Sequence, residues 1–194
     1  MEEDSPSSIV ELQNSILMSD AYLFEEGFKS IINKGDEISL ALNTIIRLGS
    51  VPENIRSQFF SIWIESNGLP LRLGCRRKLA KALPILLPKS TGPKRELKVF
   101  RGTQLREHCL SKFGFSWTTD FEIARRFAKS RYYSGKDRTT KDDGVILSVL
   151  APIEAILLVR DDPEHRLDGY YDEAEVIIDP FKLPEVEIVE RICC

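Results

Sequence analysis

The sequence predicts an α+β chain in which helices come first and strands second. Three observations carry this. Before residue 95, apolar residues recur at three- and four-residue steps with no strand-like alternation. After it, short runs rich in β-branched and aromatic residues are bounded by turn residues. Between the two lie Pro84, Pro88, Gly92 and Pro93, which read as a linker over 84–95. The 194 residues therefore divide into 1–95, a helical region with a basic linker, and 96–194, a second domain with the strands.

The elements follow in order. Residues 1–8 are acidic and rich in Ser and Pro, and read as disordered. One helical pattern spans Ile9 to Ile32, with Gly27 as a possible break. Asp36 is a plausible N-cap for a helix that ends at Leu48, before Gly49. Pro52-Glu53-Asn54 opens a third helix through Phe59, Phe60 and Trp63, and Pro70 opens a fourth to about Leu83. Leu97–Gly102 and Phe115–Thr119 read as strands. Asp120 caps a helix over Phe121–Lys129, and 129–144 is a polar, basic loop. Val145–Leu150, Ile153–Val159 at a sheet edge, Glu173–Ile178 and Val186–Ile192 complete the strands.

Bulk properties narrow the function classes. The net charge of −3 rules out a chain that binds nucleic acid through overall charge. One local exception runs through 72–95, where Arg72, Arg76, Arg77, Lys78, Lys81, Lys89, Lys94 and Arg95 stand without an acid. It reads as a solvated basic face or as a contact for phosphate or an acidic partner. No apolar run reaches the length of a membrane span, and the acidic start lacks a signal peptide's basic and apolar regions. Cys75, Cys109, Cys193 and Cys194 have neither zinc-site nor disulfide spacing, so the expectation is no metal and a reducing, cytoplasmic setting. His108 and His165 are the only histidines, too few for a His-rich centre.

Three separated elements invite one site. Arg101 ends a strand, where its guanidinium can take a phosphate bidentately, and Gly102 lets a ligand approach the backbone. Ser116, Thr118 and Thr119 cluster hydroxyls around Trp117, whose ring can stack on a flat ligand. Glu173 and Glu175 are two apart and share a strand face, with Val176 and Ile178 alternating toward the core side. Paired carboxylates repel. They are tolerated at a solvated edge or where they meet positive charge. An arginine, hydroxyls and a Glu pair together describe a site for a phosphate-bearing substrate that passes through a cation.

Val99-Phe-Arg101-Gly, Phe115-Ser-Trp-Thr-Thr followed by a helix with Ala124 and Phe127-Ala128, and Glu173-Ala-Glu175-Val-Ile-Ile resemble the three motifs of mono-ADP-ribosyltransferases of the arginine–serine–glutamate class. The resemblance covers about residues 97–192 and leaves the N-terminal helices outside. It implies an ADP-ribosyltransferase-like split mixed β-sheet and NAD+ as co-substrate. The acceptor would be macromolecular, a protein side chain such as arginine or a nucleic acid, in a toxin or effector setting with a host target or antitoxin as partner. Arg101 would hold the dinucleotide phosphates and brace the cleft. Ser116 would hold the glutamate or the nicotinamide ribose, although an alternative register puts Thr118 or Thr119 in that place. Glu175 would stabilise the oxocarbenium-like state. Glu173 would position or deprotonate the acceptor, with Tyr170 and Tyr171 in the acceptor loop. Phe127, Arg131 and Tyr132 would border the dinucleotide. The same fold without catalysis, serving as a binding module, and an NAD+ glycohydrolase are the alternatives.

Overall fold

The computed structural model describes residues 7–65, 75–89, 95–134, 143–160 and 174–192. The chain forms two compact units, Met1–Lys89 and Ser90–Cys194.

The first unit is helical: α1 (Ser7–Leu17), α2 (Ala21–Ile31), α3 (Gly35–Leu48), α4 (Glu53–Glu65) and α5 (Arg76–Leu86). The single pattern expected over Ile9–Ile32 is two helices. The break falls at Ser19, whose φ is 55°, and Asp20, which accepts a hydrogen bond from the Leu23 N–H as the cap of α2. Gly27 instead sits inside α2, facing Leu12 of α1. Periodicity alone missed the break because both helices bury apolar stripes, Ile9, Leu12 and Ile16 on one and Phe24, Phe28 and Ile31 on the other. In α3 the N-cap is Lys34, so Asp36 falls in the first turn and suits the helix dipole; Gly49 closes the helix at φ 70° as expected. The helix expected to follow Pro70 is α5, which runs past Pro84 to Leu86, beyond the expected end at Leu83. Its terminal carbonyls are satisfied by the buried Arg56, which donates from Nη1 to Leu87 O at 2.6 Å and to Pro84 O at 3.4 Å. Pro70, Arg72 and Lys94 lie outside the described residues, as do residues 1–6.

The second unit holds β1 (Leu97–Gln104), α6 (Leu105–Cys109), β2 (Ser116–Thr118), α7 (Phe121–Ser134), β3 (Gly144–Ala151), β4 (Ile156–Val159), β5 (Glu175–Ile178) and β6 (Glu187–Ile192). The strands form one six-stranded sheet in the order β4-β5-β2-β1-β3-β6. This bears out the α+β class and the edge position of β4. Every described pairing is antiparallel, which corrects the expectation of a split, mixed sheet. The reason is topological. β2 and β3 run the same way and are joined by α7, as in a parallel crossover, but β1 is inserted between them and runs against both.

The two faces of this sheet differ. Val99, Trp117, Val145, Leu147, Val149, Val176 and Ile178 make the core on one face. The expected inward pointing of Val176 and Ile178 is therefore met. On the other face α7 packs through Ala124 and Ala128 against Ile146 and Phe100. The helix comes so close that a Cβ on Gly102 would collide with the backbone of Ala124 and Ala128. What approaches Gly102 is thus the backbone of α7. That helix extends to Ser134, past the expected Lys129, and the short α6 had no counterpart in the sequence reading.

Candidate functional site

β2 lies between β1 and β5, so the three sequence motifs fall on adjacent strands. The register is specific. Thr118 pairs with Phe100 on one side and with Glu175 on the other, and Ser116 pairs with Ile177. Directly opposed residues share a face, and side chains alternate along each strand. Ser116, Thr118 and Glu175 therefore share the face on which α7 packs. Arg101 falls one position away, in the row of Trp117 and Val176, and belongs to the face carrying the main core.

The backbone around Glu175 is held on both sides. The Thr119 N–H donates to Ala174 O at 3.1 Å, and the Arg160 N–H donates to Glu175 O at 2.9 Å. Ala174 adopts φ 44°, a left-handed conformation uncommon for a residue with a Cβ. Consequently β5 begins at Glu175 rather than at Glu173. Glu173, Tyr170 and Tyr171 lie outside the described residues, so the expected carboxylate pair is represented here by Glu175. The Arg160 guanidinium stands 4.0 Å from Glu175 Oε2, with side chains only 12% and 10% exposed.

The hydroxyl strand passes directly into α7. Thr118 Oγ1 accepts from the Asp120 N–H at 3.0 Å, and Asp120 Oδ1 accepts from the Glu122 and Ile123 N–H groups at 2.7 and 3.1 Å. The cap expected at Asp120 is present. Thr119 is exposed and Ser116 half-buried. Trp117 is a core residue, 2% exposed, and its indole N–H donates to Gly114 O at 3.0 Å. Phe127 is exposed on α7. Arg131 and Tyr132 fall in the last turns of α7, where their side chains lie outside the description.

Arg101 has a different surrounding. Its Nε donates to Glu107 Oε1 at 2.9 Å, its Nη2 to Oε2 at 3.4 Å, and its Nη1 to the Ser116 carbonyl at 2.6 Å. The Gly114 N–H donates to Glu107 Oε1 at 2.7 Å, and Thr103 Oγ1 donates to Oε2. Burial alone would raise the Glu107 carboxyl. The Arg101 charge and the hydrogen bonds from Arg101, Thr103 and Gly114 outweigh it and hold the group below the usual carboxylate range. A Cβ on Gly114 would meet the Arg101 guanidinium, so that glycine makes room for the arginine.

The structure thus brings together Ser116, Thr118 and Glu175, and it sets Arg101 beside Glu107. Sequence reasoning missed Arg160 and Glu107. Arg160 had a usable signal, because it is a cation directly after the apolar run of β4; Arg101, expected at a strand end, lies inside β1. Glu107 had none, since its helix was not foreseen.

Among the described residues no group of three or more His, Cys, Asp or Glu could hold a metal ion, and no helix is long and apolar enough to cross a membrane. Compared with known protein families, characterised proteins and solved structures, the chain matches none.

Proposed function

We propose that the second unit is an ADP-ribosyltransferase-like domain that cleaves NAD+ at the nicotinamide–ribose bond and transfers ADP-ribose to a macromolecular acceptor. One observation carries the reading: a mostly buried glutamate at the start of β5 is paired in register with the hydroxyl residue Thr118 of β2, on a face shared with Ser116. That is the placement the chemistry needs. The bond from ribose C1′ to the nicotinamide nitrogen breaks and its electron pair leaves with nicotinamide. Positive charge then develops at C1′, where a fixed carboxylate stabilises it. The acceptor nucleophile forms the new bond to C1′, and its proton goes to a base. By the motif resemblance that base is Glu173. The hydroxyls of Ser116 and Thr118 would orient the carboxylate or the ribose. Arg101, bound to the Ser116 carbonyl and to Glu107, fits the bracing part of its expected role.

The commitment of Arg101 to Glu107 favours a second reading, the same fold used for binding without catalysis. A paired assay separates the readings. Purified chain and its Glu175→Ala variant are incubated with labelled NAD+ and cell lysate, with and without nuclease. Label transferred by the unaltered chain alone supports the transferase, and nuclease sensitivity assigns a nucleic-acid acceptor. Nicotinamide release without transfer makes it a glycohydrolase. Failure to turn over NAD+ with any lysate sinks the catalytic reading and leaves the binding module.

A further inference from the structure

Arg160 directly follows β4 and has no role in the reading above. Two contacts tie it to Glu175. Its N–H donates to the Glu175 carbonyl at 2.9 Å, and its Nη1 stands 4.0 Å from the carboxylate. That separation is too long for a hydrogen bond and short enough for an ion pair. The guanidinium makes no hydrogen bond among the described residues, although only 12% of the side chain is exposed. Taking a guanidinium or a carboxylate out of water is costly, and an opposite charge at this distance lowers the cost for both. The two come close because β4 and β5 are neighbours: their last registered pair is Val159 with Val176, and Arg160 and Glu175 are the next residues along each strand. The other arginine near the site is committed elsewhere: Arg101 donates to Glu107 and to Ser116 O.

We infer that Arg160 is a positioning residue for Glu175: its charge and its backbone N–H together hold the carboxylate on the hydroxyl face. The catalytic consequence rests on the ADP-ribosyltransferase reading; the pairing itself does not. Arg160 acts through Glu175, so its loss should reduce the rate of the bond-breaking step and leave ligand binding nearly intact.

The test uses the full chain and two independent measurements. Nicotinamide release from NAD+ is followed for the unaltered protein, Arg160→Gln and Arg160→Lys. Urea unfolding is followed for Arg160→Gln, Glu175→Gln and the double variant, each in a Trp63→Phe background so that Trp117 reports the second unit. Arg160→Gln should lower kcat by roughly 10- to 100-fold, as expected for a displaced catalytic group, with KM changed less than about twofold. Arg160→Lys, which keeps the charge, should recover much of the rate. The two substitutions should be non-additive by a factor of about five or more in the unfolding constant. If the unaltered chain releases no nicotinamide, the functional reading fails, while non-additivity still supports the Arg160–Glu175 pair. Additive unfolding effects, or a rise in KM with kcat unchanged, would overturn the inference.

Discussion

Replacing Glu107 by alanine probes the most densely bonded polar cluster of the second unit. The carboxylate accepts from two nitrogens of Arg101, from the Gly114 N–H and from Thr103 Oγ1. Both charged side chains are mostly buried, at 11% exposure for Arg101 and 17% for Glu107. Removing one partner of such a pair leaves the other charge buried with, among the described residues, only the Ser116 carbonyl to receive it. The cost of breaking a buried pair is about 3–5 kcal/mol. With a urea dependence of roughly 1.5–2 kcal/mol per molar, the unfolding midpoint should fall by about 2 M. Trp117 fluorescence in a Trp63→Phe background reads this transition, because Trp117 is packed in the core beneath the same strands. The double variant Arg101→Met with Glu107→Met, which removes both charges and retains volume, should be more stable than Glu107→Ala alone. A midpoint shift below about 0.5 M for Glu107→Ala would mean that Arg101 finds other partners at little cost, and the reasoning would fail.

Three further outcomes are expected. The folded-state carboxyl of Glu107 titrates below its unfolded value, so the stability it contributes is complete above the unfolded pKa of about 4.3 and is lost as pH falls through the folded value. Acid unfolding curves of the unaltered chain and of Glu107→Gln should therefore converge at low pH and separate above it. Gly102→Ala would drive a methyl into the backbone of Ala124 and Ala128, and should cost at least about 1–3 kcal/mol in thermal unfolding. In the helical unit, Arg56→Met would leave the carbonyls of Val51 and Leu87 without their buried donor, and should cost about 2–3 kcal/mol, read by Trp63 fluorescence in a Trp117→Phe background.

Local order was legible in the sequence where one residue type decides a local geometry. Gly49 supplied a left-handed helix end and Asp120 a helix start, each without help from distant contacts. The alternation of Val176 and Ile178 marked the buried face of β5. The break in the first helix was encoded as well, in Asp20, but an unbroken apolar rhythm hid it.

The α+β class, the order of most elements and the grouping of candidate hydroxyls and carboxylates into short segments can be read from the sequence. These depend on spacing within a few residues, and periodicity, caps and turn residues record that spacing directly. Which of those candidates meet depends on strand pairing across the sheet. Inserting β1 between β2 and β3 made the sheet antiparallel, and the pairing of β2 with β5 set Thr118 opposite Glu175. A one-residue slip of β2 against both of its neighbours would have exchanged the faces and placed Arg101, not Glu175, with the hydroxyls. The partnerships of Arg101 with Glu107 and of Glu175 with Arg160 were decided at the same level. Register depends on how all the strands bury their apolar face together, and no short stretch of sequence carries that sum.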